Sequence, residues 1–484
     1  MPRSAVPYVL HLDVTRGPGK LPRRVSAALI RAIAEGQLAD GDIMPSTRTL
    51  AAGIGVARSV VVEAYEELVA AGFLSSKAGS ATRVERGARD ASLAGAFSSP
   101  LGEVRETAVV NVARAEVEFD LLPGFPDISL VDERDWGRAW RLASRDSLSR
   151  QGDRYDTRTD GLHPELRRQL VDHLRLTRGL VAEPRDVFVF AGINAAIRTL
   201  TKAVAHPEQA LAFEDPGYAT GRRAFVSAGS PVRPVPVDDE GLVVDQLRPD
   251  DWGVYVTPAH QFPLGARLSV ARRSALLEWA QTHQGVVFED DYDGEFRYDV
   301  APMPAIRAMT AGADRVIYLG TASKVLARDM RVAWAVVPAW LSDQVRDALT
   351  EEGETVSATS ALAMAHFIQS GALLRQISLS HRTYAARRGR LADACRQVLP
   401  YAQLHGVDAG LHLVLTFDAK LNDVEVVEDL ARVGLACAPL SPYYDSETTR
   451  PMSGLVCGYS RLPETKAGPA VARIRDVLES HMGA

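Results

Sequence analysis

Apolar positions near the start of the chain recur at helical spacing. Val25, Ala28, Leu29, Ala32 and Ile33 follow the i, i+3, i+4, i+7, i+8 stripe of an amphipathic helix, with Gly36 near its end. A second start lies in MPSTRTLAAGIGVARSVVVEAYEELVAAGFL. There Ser46 is placed as N-cap, because its hydroxyl can accept from the free amides of the first turn. This short helix closes in Gly53-Ile54-Gly55, a turn that tolerates positive φ. The next helix is expected to bury Val61, Ala64, Tyr65, Leu68 and Val69 and to stop at Gly72. Two short β runs around Lys77-Ala78-Gly79-Ser80 then predict a hairpin. Residues 85–117 are small, polar and charged with little periodicity, and read as a linker.

From about Phe119 the pattern changes. VFVFAG (187–192), ALAFEDPG (210–217), GVYVTP (253–258), GVVFEDD (285–291), RVIYLG (315–320) and RVAWAVVP (331–338) read as buried strands. A helical stretch over about 269–283 separates the third from the fourth. Such alternation argues an α/β domain with a mainly parallel sheet. The expected division is 1–84, linker 85–117, and 118–484.

Composition narrows the class. Of 484 residues, 46% are hydrophobic and 24% charged, as in ordinary globular chains with a sizeable core. No apolar run is long enough to span a bilayer, and the N-terminus has no signal-peptide core. Cys395, Cys437 and Cys457 have no metal-ligand spacing and suggest no disulfide frame. A cytoplasmic protein without a membrane partner is expected. Net charge is −6, yet residues 1–90 carry +3 and the remainder −9. That asymmetry has the sign of a basic reader joined to an acidic partner domain.

Helix, glycine turn, helix is the outline of a helix-turn-helix. The residues add a closer resemblance, to the winged helix of GntR-type regulators. Pro45, Ser46, Arg48, Leu50 and Ala51 match that family's P-S-x-R-x-L-A. Gly55, Val56, Arg58 and Val61 match its G-V-S-R-x-T-V, and Gly79, Ser80, Thr82 and Val84 its wing. Ala57 replaces the usual serine cap, Lys77 an arginine, and Ala81 a wing glycine. The resemblance implies a double-stranded DNA operator as partner. Arg58 and Ser59, at the start of the recognition helix, would reach base edges or nearby phosphate in the major groove. Ser46 and Arg48 would meet the backbone, and Lys77 and Ser80 on the wing would follow the backbone or the minor groove. The bland alternative is that Arg48 and Arg58 are ordinary solvated charges.

Further along, six motifs stand in order. They are RYDTRTDGLHPELRRQLVDHLRLTRGL (154–180), AGINAAIRTL (191–200), EDPGY (214–218), TPAHQFPLG (257–265), EDDYDGEF (289–296) and GTASK (320–324). The series resembles fold-type I aminotransferases, and more narrowly the MocR-type subgroup of GntR regulators. What it implies is pyridoxal 5'-phosphate (PLP) as cofactor, with Lys324 as the Schiff-base lysine. Asp290 matches the carboxylate that keeps the pyridine nitrogen protonated, and Asp291 is its rival. Tyr292 matches the phenol on the ring oxygen, and Tyr218 the stacking aromatic. For the phosphate, Ile193 and Asn194 offer amides at a strand-to-helix turn, Thr321 and Ser323 hydroxyls, and Arg331 a guanidinium. Tyr155 matches a tyrosine that reaches the phosphate of a neighbouring subunit, so a homodimer, swapped head to tail, is implied.

Asp290, Asp291 and Asp293 are also a carboxylate cluster, but no histidine spacing pairs with them, so no metal is expected. His260 is assigned no chemistry. The arginine that clamps a substrate carboxylate in these enzymes is replaced by Val456 in GLVCGYSRL (454–462), with Arg450 and Arg461 nearby. Ala322 and Arg328 also depart from the family's phenylalanine and proline. The expected function is therefore a PLP-dependent, sequence-specific transcription regulator. Its small-molecule effector is expected to be PLP itself, through control of PLP synthesis or salvage, or an amine or amino acid that reacts with it. The alternative is an active PLP aminotransferase with an accessory DNA-binding domain.

Overall fold

In the computed structural model the described residues are 20–76, 81–85, 117–150, 163–206, 208–298, 304–310, 312–353, 356–406, 409–417, 421–445 and 451–482, with isolated positions 12, 14 and 88. They fall into two compact units, Met1–Asn111 and Val112–Ala484.

The first unit holds α1 (Leu21–Ala34), α2 (Thr47–Ile54), α3 (Arg58–Ala70), β1 (Leu74–Ser75) and β2 (Arg83–Val84). Val25, Leu29, Ala32 and Ile33 of α1 pack with Val61, Ala64, Tyr65 and Leu68 of α3 in one core, and Ala28 is buried as well. Ser46 caps α2 by accepting from Thr49 N at 3.1 Å, and Gly55 ends it with φ +69°. Ala57 gives α3 no side-chain cap. The Tyr65 hydroxyl donates to Pro45 O at 2.9 Å, which pins the turn before α2 to α3. Val69 departs from expectation: it is 37% exposed. It adjoins Leu68 on the helix, which already fills the seam, and so falls at the stripe's edge. β1 and β2 pair antiparallel, Leu74 opposite Val84. Ile43 bridges to Arg83, so residues 41–44 add a third edge that periodicity did not predict.

The second unit opens with β3 (Phe119–Asp120). Its main sheet comprises β4 (Val187–Phe190), β5 (Leu211–Asp215), β6 (Val232–Asp238), β7 (Gly241–Leu242), β8 (Gly253–Val256), β9 (Val286–Asp290), β10 (Val316–Thr321) and β11 (Ala333–Val336). The order is β4-β11-β10-β9-β8-β5-β6-β7. The pairs β10–β9, β9–β8, β8–β5 and β5–β6 are parallel, whereas β11 runs antiparallel to both neighbours. Central strands are apolar on both faces because helices cover both. On β4, Val187 and Val189 enter one core and Phe188 and Phe190 the other. The helix Val270–Thr282, capped by Ser269, lies between β8 and β9 as expected.

A smaller sheet has the order β12-β13-β16-β15, from β12 (Gln403–His405), β13 (His412–Phe417), β15 (Ala438–Pro439) and β16 (Ser453–Gly458). β14 (Leu435–Ala436) pairs with β3. No described helix is long and apolar enough to cross a membrane.

Candidate functional site

Ligands of open α/β sheets gather outside the carboxyl ends of parallel strands. Here those ends carry Gly192 after β4, Tyr218 after β5, Thr257 after β8, Asp290 on β9 and Thr321 on β10. Because β11 is antiparallel, its start, preceded by Arg331, reaches the same edge. They line a cavity of about 350 Å³ with Ile193, Asn194, Tyr292, Ser323 and Lys324. The cavity thus unites nine of the ten residues expected around the cofactor; Tyr155 lies outside the described residues.

Strand alternation separates the two adjacent carboxylates. Asp290 shares a face with Val286 and Phe288, while Asp291 follows Glu289 onto the other. On the cavity side, Asp290 Oδ2 accepts from the Tyr255 hydroxyl and Oδ1 has no partner. Burial pushes this carboxyl up to about 7, against the pull of the Tyr255 hydrogen bond. Asp291 instead meets Arg178 Nε and the Tyr318 hydroxyl, the latter at 2.7 Å. Arg178 also pairs with Glu295 at 2.8 Å. Although Asp291 is fully buried, this arginine holds its carboxyl below the ordinary range. Asp290 is the carboxylate available to a ligand.

Lys324 follows β10 in a single 3₁₀ turn whose Thr321 hydroxyl accepts from Ser323 N at 3.2 Å. Its Nζ donates to Gly124 O at 2.9 Å. Gly124 has φ +80°, and a Cβ there would lie 2.6 Å from Nζ. On the far side, Gly192, at φ +100°, opens the helix Ile193–Val204, so its first amides and positive dipole end face the cavity. Arg331 adopts φ +47° and donates from Nη2 to Ala191 O at 3.3 Å. A non-glycine residue in the left-handed region often marks a functional site. Tyr218 stands over the cavity, edge to face with Phe262 at 6.1 Å.

The donor set fits pyridoxal 5'-phosphate. A protonated ring nitrogen would give Asp290 Oδ1 the partner it lacks. A phosphate would meet the amides of Ile193 and Asn194, two hydroxyls and the Arg331 guanidinium. When bound, the cofactor supplies an aldehyde carbon and an electron-withdrawing ring.

Several residues of the site carried no sequence signal. Pro123, Gly124 and Phe125, which line the cavity, come from an aperiodic loop and Tyr443 from a short turn, while Tyr255, which holds Asp290, comes from a strand that reads as core. His260, assigned no chemistry from the sequence, is buried. It packs beside Tyr292 and Asp293, and His412 adjoins, although no spacing pairs these histidines with the acidic trio. Val456 is fully buried on β16 with Val414 and Leu440, and Tyr443 and Tyr444 pack against it. Arg461 pairs with Asp120 at 2.7 Å and lies over Phe125. Among the described residues, the cations lining the cavity are Lys324 and Arg331. Arg450 and the Arg328 side chain are outside the described residues.

In the first unit, Ser46, Arg48, Arg58 and Ser59 are all exposed around the starts of α2 and α3. Arg58 Nε donates to Thr47 Oγ1 at 3.3 Å, linking the two helix starts. Lys77 and Ser80 fall outside the described residues.

Comparison with known proteins covers both units. Residues 21–84 match the family described as Bacterial regulatory proteins, gntR family. Residues 134–450 match Aminotransferase class I and II. The HTH-type pyridoxine biosynthesis transcriptional regulator PdxR of Corynebacterium glutamicum is 33% identical over 95% of this chain and 96% of its own. The probable rhizopine catabolism regulatory protein MocR of Rhizobium meliloti is 30% identical over 92% of this chain and 91% of its own. The crystal structure of Pyrococcus horikoshii kynurenine aminotransferase superposes with a TM-score of 0.69 at 22% identity, over 81% of this chain and 97% of that one. This last likeness speaks to the fold.

Proposed function

The chain belongs to the MocR-type subgroup of GntR-family transcription regulators, and from that premise we propose that it binds an operator through its winged helix and senses PLP through Lys324. The observation that carries this reading is the convergence of Lys324, Asp290 and the Gly192 helix start on one cavity, in a chain that also carries a winged helix. Lys324 would hold the cofactor covalently, Asp290 would keep a proton on its ring nitrogen, and Tyr292 would face its ring oxygen. Tyr218 would stack on the ring. Ile193, Asn194, Thr321, Ser323 and Arg331 would hold the phosphate, joined in a homodimer by Tyr155 of the other subunit.

PLP itself is favoured over an amino acid effector. An α-carboxylate calls for a cation beyond the phosphate site; among the described residues the cavity offers only Lys324 and Arg331, and Val456 lies in a buried apolar cluster. A relative carrying pyridoxine biosynthesis in its name supports the same choice. On DNA, Arg58 and Ser59 would enter the major groove, with Ser46, Arg48, Lys77 and Ser80 on the backbone. A ligand shifts DNA affinity only by interacting differently with two arrangements of the protein.

The test is binding to DNA from upstream of the chain's own gene and its neighbours, with and without PLP, at two salt concentrations. Selective, salt-sensitive binding that changes with PLP is expected. Selective binding indifferent to PLP would redirect the effector to an amine or amino acid. Without selective binding, and with turnover of an amino donor and keto acceptor, the chain would act as an aminotransferase.

A further inference from the structure

Behind Tyr292 lies a buried polar group that the reading above does not use. His260 Nδ1 is 3.0 Å from the Tyr292 hydroxyl and 3.0 Å from Asp293 Oδ2. His260 is 2% exposed and Asp293 1%. His260 Nε2 and Asp293 Oδ1 have no partner.

The trio His260, Asp293 and His412 has ligand types suited to a metal, but its packing argues otherwise. The His412 Nε2–H donates to Pro263 O at 2.8 Å. A Cβ on Gly265 would lie 2.9 Å from His260 Nε2, and one on Gly410 would lie 2.2 Å from its Cε1. Backbone therefore fills the space that an ion and its remaining ligands need.

A carboxylate only accepts hydrogen bonds, so Asp293 fixes the tautomer with hydrogen on Nδ1. That Nδ1–H is shared with the Tyr292 oxygen. The phenol then accepts from behind, and its own hydrogen is left to donate. It has two acceptors to choose from, Asp293 and an oxygen in the cavity. The Nδ1–H already occupying Asp293 Oδ2 weakens the first.

We infer that His260, oriented by Asp293, is a positioning residue for Tyr292, turning the phenol into a hydrogen-bond donor toward the cavity. This rests on the reading that the cavity holds PLP, whose ring oxygen would be the acceptor. A donor to that oxygen stabilises its anion. With PLP held on Lys324, it would loosen the proton shared between the ring oxygen and Lys324 Nζ. His260 thus sets the protonation state of the cofactor without touching it. Besides Asp293, Asp290 and Glu214 act electrostatically on Tyr292, and the His412 ring lies 5.2 Å from that of His260.

The test is a pH titration of the visible absorbance of the PLP-loaded full-length protein. The midpoint of Tyr292→Phe is expected about one pH unit above wild type, the scale of a hydrogen bond to a charged oxygen. His260→Phe keeps the ring shape and loses the donor, and its midpoint is expected to rise by about half a unit. His260→Gln, which retains an N–H, returns the midpoint toward wild type. In a Tyr292→Phe background, His260→Phe adds nothing. Should His260→Phe fail to fold, His260→Leu, which also lacks the donor, carries the same upward expectation. A wild-type midpoint in whichever of these two variants folds overturns the inference, as does an undiminished His260 effect without the Tyr292 hydroxyl. Absence of any visible band from wild type with PLP overturns the cofactor reading itself, and this inference with it.

Discussion

Two adjacent aspartates illustrate how much one residue of register decides. Asp290 faces the cavity with one oxygen unpartnered, and Asp291 faces Arg178. Asp290 has a folded pKa of about 7, above the ordinary 3.8. Between those values the folded protein keeps a proton that the unfolded chain has lost. Its burial therefore costs stability that grows from about pH 4 to pH 7 and is level above. Asp290→Asn still accepts from Tyr255 and removes this cost. In denaturant unfolding of the PLP-free protein, the variant should gain on wild type as pH rises from 5 to 8, by up to about 3 kcal/mol. Equal differences at both pH values would contradict the assignment. The candidates Lys324, Asp290 and Tyr292 were legible because each stands at or just past the end of a strand in a motif. Which aspartate faces the cavity follows from period-two alternation once β9 is known to extend to Asp290. Tyr255 and His260 were not legible, because their partners lie 35 and 32 positions away.

At the scale of elements, the long buried strands and the stripe of α1 were readable because both faces, or one, are uniformly apolar. Short pieces were not. β3, β14 and β15 have two residues each, too few for any period. The loop holding Gly124 has no period at all, yet it receives the Lys324 amine. Gly124→Ala would put a methyl group at Nζ and strain a positive φ. Its PLP loading, read by visible absorbance, should fall well below wild type; full loading would show that the loop yields. In the first unit, Ser46→Ala removes the cap of α2 and costs about 1 kcal/mol. Hydrogen exchange of the Thr49 amide should then quicken about fivefold.

At the scale of the whole molecule, a DNA reader and a cofactor site are carried in one chain. At the reader, Arg58→Ala should weaken operator binding by about 1–3 kcal/mol and relax sequence preference. Arg48→Ala should weaken binding to all sequences alike and reduce the salt slope by about one. The charge asymmetry seen in the sequence agrees with that division of labour. The central claim is that PLP attached at Lys324 changes DNA affinity. The most direct measurement is a pair of operator titrations, wild type and Lys324→Ala, each with and without PLP at fixed salt. The account predicts that PLP shifts the wild-type curve and leaves that of Lys324→Ala where it was. Identical PLP responses in the two proteins would contradict it.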